Sequence, residues 1–116
     1  MENGAVADKS LDFAVRIVNV RKYLMAEKNE YVMSKQLLRC GTSIGANIAE
    51  AQRGQSTADF ASKMCVALKE ANETLYWLRL LCRTEYLTQE QYDSLESDLR
   101  ELLRLLTSIC KKTNPL

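Results

Sequence analysis

Proline occurs once in this chain, at Pro115, so no ring clash or missing amide hydrogen interrupts a helix before that point. Glycine is scarce too, with 4 in 116 residues. Long helices are what such a chain can build, and the apolar spacing agrees. Phe13, Ile17, Val20 and Leu24 recur at steps of four and three, which lays them on one helical face over about residues 8–28. Met33, Leu37, Cys40, Ile44, Ile48 and Ala51 do the same over about 32–53. Phe60, Met64, Ala67, Ala71, Leu75, Leu78 and Cys82 follow over 57–83, and Tyr92, Leu95, Leu99, Leu102, Leu106 and Ile109 over 88–111. Ser56 with Asp59, and Thr88 with Gln91, have the spacing of helix N-caps. Gly54 reads as the C-cap of the second helix. Four amphipathic helices on short connections, with no strand pattern, predict a single all-α domain over 1–116. Its architecture is an antiparallel up-down-up-down four-helix bundle with frayed ends at 1–7 and 113–116.

Charge and cysteine usage narrow the function classes. Sixteen Lys and Arg against fifteen Asp and Glu leave a net charge of +1, short of the basic excess of a dedicated nucleic-acid binder. Histidine is absent, and Cys40, Cys65, Cys82 and Cys110 are too far apart in sequence for a zinc motif. They read as small buried hydrophobes in a reducing compartment, with no metal and no cofactor. Neither a membrane-spanning run nor a secretory leader is visible, so the expected location is the cytoplasm.

Two features ask for a packing explanation. Gly41 and Gly45, with Ala49 one turn on, sit inside the second helix, where each glycine costs roughly 1 kcal/mol relative to alanine. Close approach of another helix accounts for them better than a phosphate loop, which would need a Gly-Lys-Ser/Thr ending and a preceding strand. Residues 75–82, Leu-Tyr-Trp-Leu-Arg-Leu-Leu-Cys, are apolar all round the third helix, and Leu102, Leu103, Leu105 and Leu106 exceed one stripe on the fourth. Such surplus implies a cover, and another copy of the chain is the simplest one. The other cover is the loop between helices three and four, folded over Tyr76 and Trp77.

Ser43, Asn47 and Glu50 share one face of the second helix. As a catalytic set they lack a base to activate the serine, so the reading is a polar strip between helices that fixes register. A hairpin turning near Gly54 sets Arg39 opposite Glu70 and Glu73, and Glu50 opposite Lys63.

The stretch from Gln36 to Ala51, with Gln36-Leu37, Arg39, Ser43-Ile44 and Asn47-Ile48-Ala49-Glu50-Ala51 at its fixed positions, resembles the signature of the 23S rRNA intervening-sequence protein family. Glu70, Glu73, Tyr76, Trp77 and Leu78 are similar to a third-helix segment of one branch, and the resemblance spans Ser10 to Lys111. It implies a four-helix bundle, a homo-oligomer that is a pentamer, and no catalysis. Relatives include the accessory protein of diversity-generating retroelements, which binds a reverse transcriptase and nucleic acid through a strongly basic surface. The net charge here differs from that relative's.

On the fourth helix Arg100, Arg104 and Lys111 share a face, a candidate strip for a phosphate backbone. Asp93, Glu96 and Glu101 lie close in sequence, so their field is expected to cancel most of that charge and leave RNA binding weak. The reading is a non-enzymatic homo-oligomeric scaffold or adaptor for a protein partner, with an RNA-binding or reverse-transcriptase-associated accessory factor as its rival.

Overall fold

The structure is a computed structural model that describes residues 2–113. Four helices account for nearly all of them: α1 (Glu2–Lys28), α2 (Val32–Ala51), α3 (Thr57–Arg83) and α4 (Gln89–Thr113). Each packs against its sequence neighbour, and α4 returns to α1, which closes an up-down-up-down bundle measuring 44 × 22 × 20 Å. Phe13, Ile17 and Leu24 from α1 meet Leu37, Ile44 and Ile48 from α2, Met64 and Leu78 from α3, and Leu99 and Leu106 from α4 in one continuous core.

The caps explain where the helices start and stop. Ser56 Oγ accepts the Asp59 amide at 3.1 Å. Thr88 Oγ1 accepts the Gln91 amide at 3.1 Å while Gln91 Oε1 accepts the Thr88 amide at 2.9 Å, a complete capping box. The cap of α2 was not legible in the sequence. The buried Glu30 carboxylate accepts the amides of Val32, Met33 and Ser34 at 3.1, 2.9 and 2.7 Å, so an acid inside an apparent polar break holds three orphan donors. At the end of α3, Glu85 takes φ 68°, and the amides of Tyr86 and Glu85 return to the carbonyls of Leu81 and Cys82, a Schellman ending built without glycine.

Three expectations need correction. The first helix begins at Glu2, not near residue 8, because Val6 and Ser10 are both buried and carry the helix past the expected frayed end. At the other end α4 runs to Thr113, and only Met1 and residues 114–116 of the expected frayed tails lie outside the described residues. Gly54 is no left-handed C-cap: no glycine among the described residues has positive φ, and α2 ends at Ala51. Gly54 is small for a different reason. A Cβ there would lie 3.1 Å from the Ala51 carbonyl oxygen and 3.2 Å from Asp59 Cβ, inside the tight α2–α3 turn.

The inner glycines do admit a neighbouring helix, and that helix is α1. A Cβ on Gly41 would stand 2.9 Å from both Cγ1 and Cγ2 of Ile17, and one on Gly45 would stand 3.3 Å from Ser10 Oγ and 3.4 Å from the Ser10 carbonyl oxygen. Much of the apolar surplus disappears inside the protomer. Leu75, Leu78 and Leu81 of α3 and Leu102, Leu103 and Leu106 of α4 are buried, and Trp77 and Leu105 pack half-buried against the core. The α3–α4 loop inserts Leu87 into that core and leaves Tyr76 58% exposed, so the loop does not cover Tyr76.

Candidate functional site

The α2–α3 seam carries the polar residues singled out in the sequence. Arg39 reaches across to Glu70, 3.5 Å away, and pairs closely with Glu73. Gln36 Oε1 accepts from Arg39 Nε at 3.4 Å. Trp77 Nε1 donates to the same Glu73 carboxylate at 3.2 Å, and the Tyr76 ring stands edge-on to Trp77 with centroids 5.2 Å apart. Further along, Lys63 pairs with Glu50 at 3.3 Å. The register expected from a hairpin near Gly54 is therefore the register observed. The setting is less buried than a strip between helices suggests: the Arg39 side chain is 49% exposed and that of Glu73 37%. Such a pair contributes ~1 kcal/mol or less, so its value lies in fixing alignment more than in stability.

Ser43 and Asn47 do not cross the seam. Ser43 Oγ donates to the Arg39 carbonyl at 2.6 Å, and Asn47 Nδ2 donates to the Ser43 carbonyl at 2.8 Å. Both back-bond to their own helix, as short polar side chains do when no partner lies opposite. Glu50 faces Lys63 and not Ser43, so no nucleophile–base pair forms.

Among the cysteines, burial pushes the Cys40 thiol up, with the Thr74 hydroxyl opposing it. Cys110 is pushed up to about 12 by burial and by its contact with Cys65 on α3. Among the described residues no three Cys, Asp or Glu side chains converge as metal ligands. The α1–α4 seam, the loosest of the four, opens a cleft of about 620 Å³ lined by Arg16, Asn19, Tyr23, Leu87, Gln91 and Leu95. Arg16 is already spent there: it donates to Asp98 at 2.6 Å and to the Ser94 hydroxyl at 2.9 Å.

The α4 residues divide. Arg100 donates to Glu96 at 2.9 Å, while Arg104 and Lys111 line a shallow groove with Thr107 and have no ion pair among the described residues. Glu101, expected to screen them, turns to α1 and pairs with Lys9.

The signature face, the register across α2 and α3 and the bundle together carry the resemblance seen in the sequence. A model of the 23S rRNA-intervening sequence protein family matches residues 2–108. The chain belongs to that family. It is also similar, at 62% identity and a TM-score of 0.94, to the crystal structure of a protein of unknown function from the S23 ribosomal protein family of Bacteroides thetaiotaomicron. The match covers 96% of this chain and 99% of that one. No curated protein matches the chain. Within the family's fold, the residues of the Gln36–Ala51 stretch divide by what they touch here: Gly41 and Gly45, between the fixed positions, admit α1, Arg39 and Glu50 set the α3 register, and Ser43 and Asn47 bond to their own helix. No helix among the described residues is long and apolar enough to cross a membrane.

Proposed function

We propose that this chain is a non-enzymatic, cytoplasmic scaffold or adaptor that works as a homo-oligomer, assembled through the outer face of α1 and α2. The observation that carries the reading is an apolar surface with nothing to cover it in the protomer. Leu11 and Val15, one turn apart on α1, are 66% and 55% exposed. Beside them the outward side of α2 presents Ala46 and Ala49, small residues that let a second backbone come close. This moves the expected interface away from α3, whose leucines are consumed by the protomer's own core. A ring of five is the expected assembly; that number rests on the family resemblance, and the exposed face argues for more than one copy.

Light scattering coupled to size exclusion tests it. The expected mass is five times the 13.2 kDa protomer, and Leu11→Asp with Val15→Asp is expected to release helical monomers. Both positions face solvent in the protomer, so the fold should persist and circular dichroism checks that it does. A 13.2 kDa species at micromolar concentration overturns self-association. An assembly indifferent to the two aspartates overturns the assigned face.

A further inference from the structure

We propose that Cys65 and Cys110 are a peroxide-sensitive thiol pair: Cys65 takes the oxidant, and Cys110 then closes a disulfide that staples α3 to the end of α4. The two thiols touch each other across the α3–α4 seam. The other cysteines face different groups, Cys40 the Thr74 hydroxyl and Cys82 the Gln89 side-chain oxygen at 3.8 Å. The helix register supports the same pairing. Ser62 lies one turn before Cys65 on α3, Thr113 one turn after Cys110 on α4, and both line one open groove with Cys65. Antiparallel helices in that register bring residues 65 and 110 level.

Access divides the roles. Cys65 is half-buried and lines the groove beside Lys69. Cys110 is 8% exposed, and burial together with the Cys65 contact pushes its thiol up to about 12. A small oxidant in the groove therefore meets Cys65 first.

The chemistry takes two steps, with hydrogen peroxide as co-reactant. The Cys65 sulfur attacks one peroxide oxygen, the O–O bond breaks, and the departing hydroxide takes up the thiol proton as water. Sulfur is oxidised to a sulfenic acid and the peroxide is reduced. The Cys110 sulfur then attacks the Cys65 sulfur, an S–S bond forms and the S–O bond breaks, and the leaving hydroxide takes the Cys110 proton as a second water. A thiol held protonated is a poor free nucleophile. Closure is driven here by contact, which replaces an encounter with an intramolecular step. The α3–α4 side lies across the bundle from the face assigned to self-association, so the proposal does not depend on an assembly.

The test is oxidation of the folded chain with hydrogen peroxide near neutral pH, a block of free thiols, and mass spectrometry. The expected product is about 2 Da lighter, joins tryptic peptides 64–69 and 105–111, and is reversed by dithiothreitol. Its Tm should rise by roughly 10 °C or more, because the closed loop removes conformations from the unfolded chain. Cys110→Ser should abolish the link and leave a Cys65 sulfenic acid that dimedone captures at least about fivefold more than in the parent. Cys110→Ala repeats that removal with an apolar side chain, and circular dichroism checks that each variant folds. Cys82→Ser should keep the yield of the link within about twofold of the parent. The proposal is overturned if peroxide gives no Cys65–Cys110 link in the folded parent, or gives one only between chains or in urea. Dimedone capture at Cys65 that is equal with and without the Cys110 thiol overturns the assigned roles, and an oxidised chain that melts no higher overturns the staple.

Discussion

Replacing Gly41 by alanine sets two opposed effects against each other, and the structure decides between them. Alanine in a helix interior is worth about 1 kcal/mol over glycine. Against that, the new methyl would sit 2.9 Å from both γ-carbons of Ile17, a distance that real side chains do not tolerate. Ile17 is β-branched, held to one rotamer on a helix and fully buried, so it has no free direction in which to move. Overpacking of this kind costs about 1–3 kcal/mol, which after the helix gain leaves Gly41→Ala net destabilising by up to about 2 kcal/mol, or up to roughly 10 °C in Tm for a domain of this size. Gly45→Ala meets only Ser10, at 3.3 and 3.4 Å, so the helix gain and the tighter contact should nearly cancel. The decisive experiment is the double change. In an Ile17→Ala background both γ-carbons are gone, and Gly41→Ala should then raise stability by about 1 kcal/mol or more, reversing its sign. Urea and thermal melts by circular dichroism, at one fixed protein concentration, read all four proteins. A Gly41→Ala protein that melts higher than the parent, or a sign that fails to reverse, refutes the claim that Ile17 dictates glycine at this position.

The α2–α3 seam predicts a smaller effect. Arg39→Ala should cost less than about 1 kcal/mol, because its carboxylate partners are solvated, and the fluorescence of Trp77 should shift, because the Glu73 carboxylate it bonds is released. The cysteines predict an order of labelling. With iodoacetamide at pH 8, Cys65 and Cys82 should react before Cys40 and Cys110, whose thiols burial holds in the unreactive protonated form; mass spectrometry of a time course gives the order.

Sequence alone determined the all-helical bundle, since scarce proline and four apolar stripes at steps of three and four leave no other economical way to bury a core. It also determined the α2–α3 register, because a short turn near Gly54 makes contact positions follow from counting: Arg39 to Glu70 and Glu73, Glu50 to Lys63. The caps at Ser56 and Thr88 were readable for a similar reason, being local in the chain. Glu30 was not, although it is just as local, because glutamate is outside the Ser, Thr, Asp and Asn set that marks an N-cap and sits among polar residues that read as a break.

What only the tertiary structure decided is which side of each helix faces outward and which charges find partners. Leu81 and Leu103 looked surplus on a helical wheel, yet two flanking helices bury an arc wider than a single stripe. Leu11 and Val15, off the apolar stripe of α1, are among the large apolar residues left uncovered. Glu101 stands next to Arg100 in sequence but points across the seam to Lys9. Local spacing records neighbours along a helix. Cancellation of charge depends on neighbours across helices, and the packing of α3 on α4 and of α1 on α4 sets those.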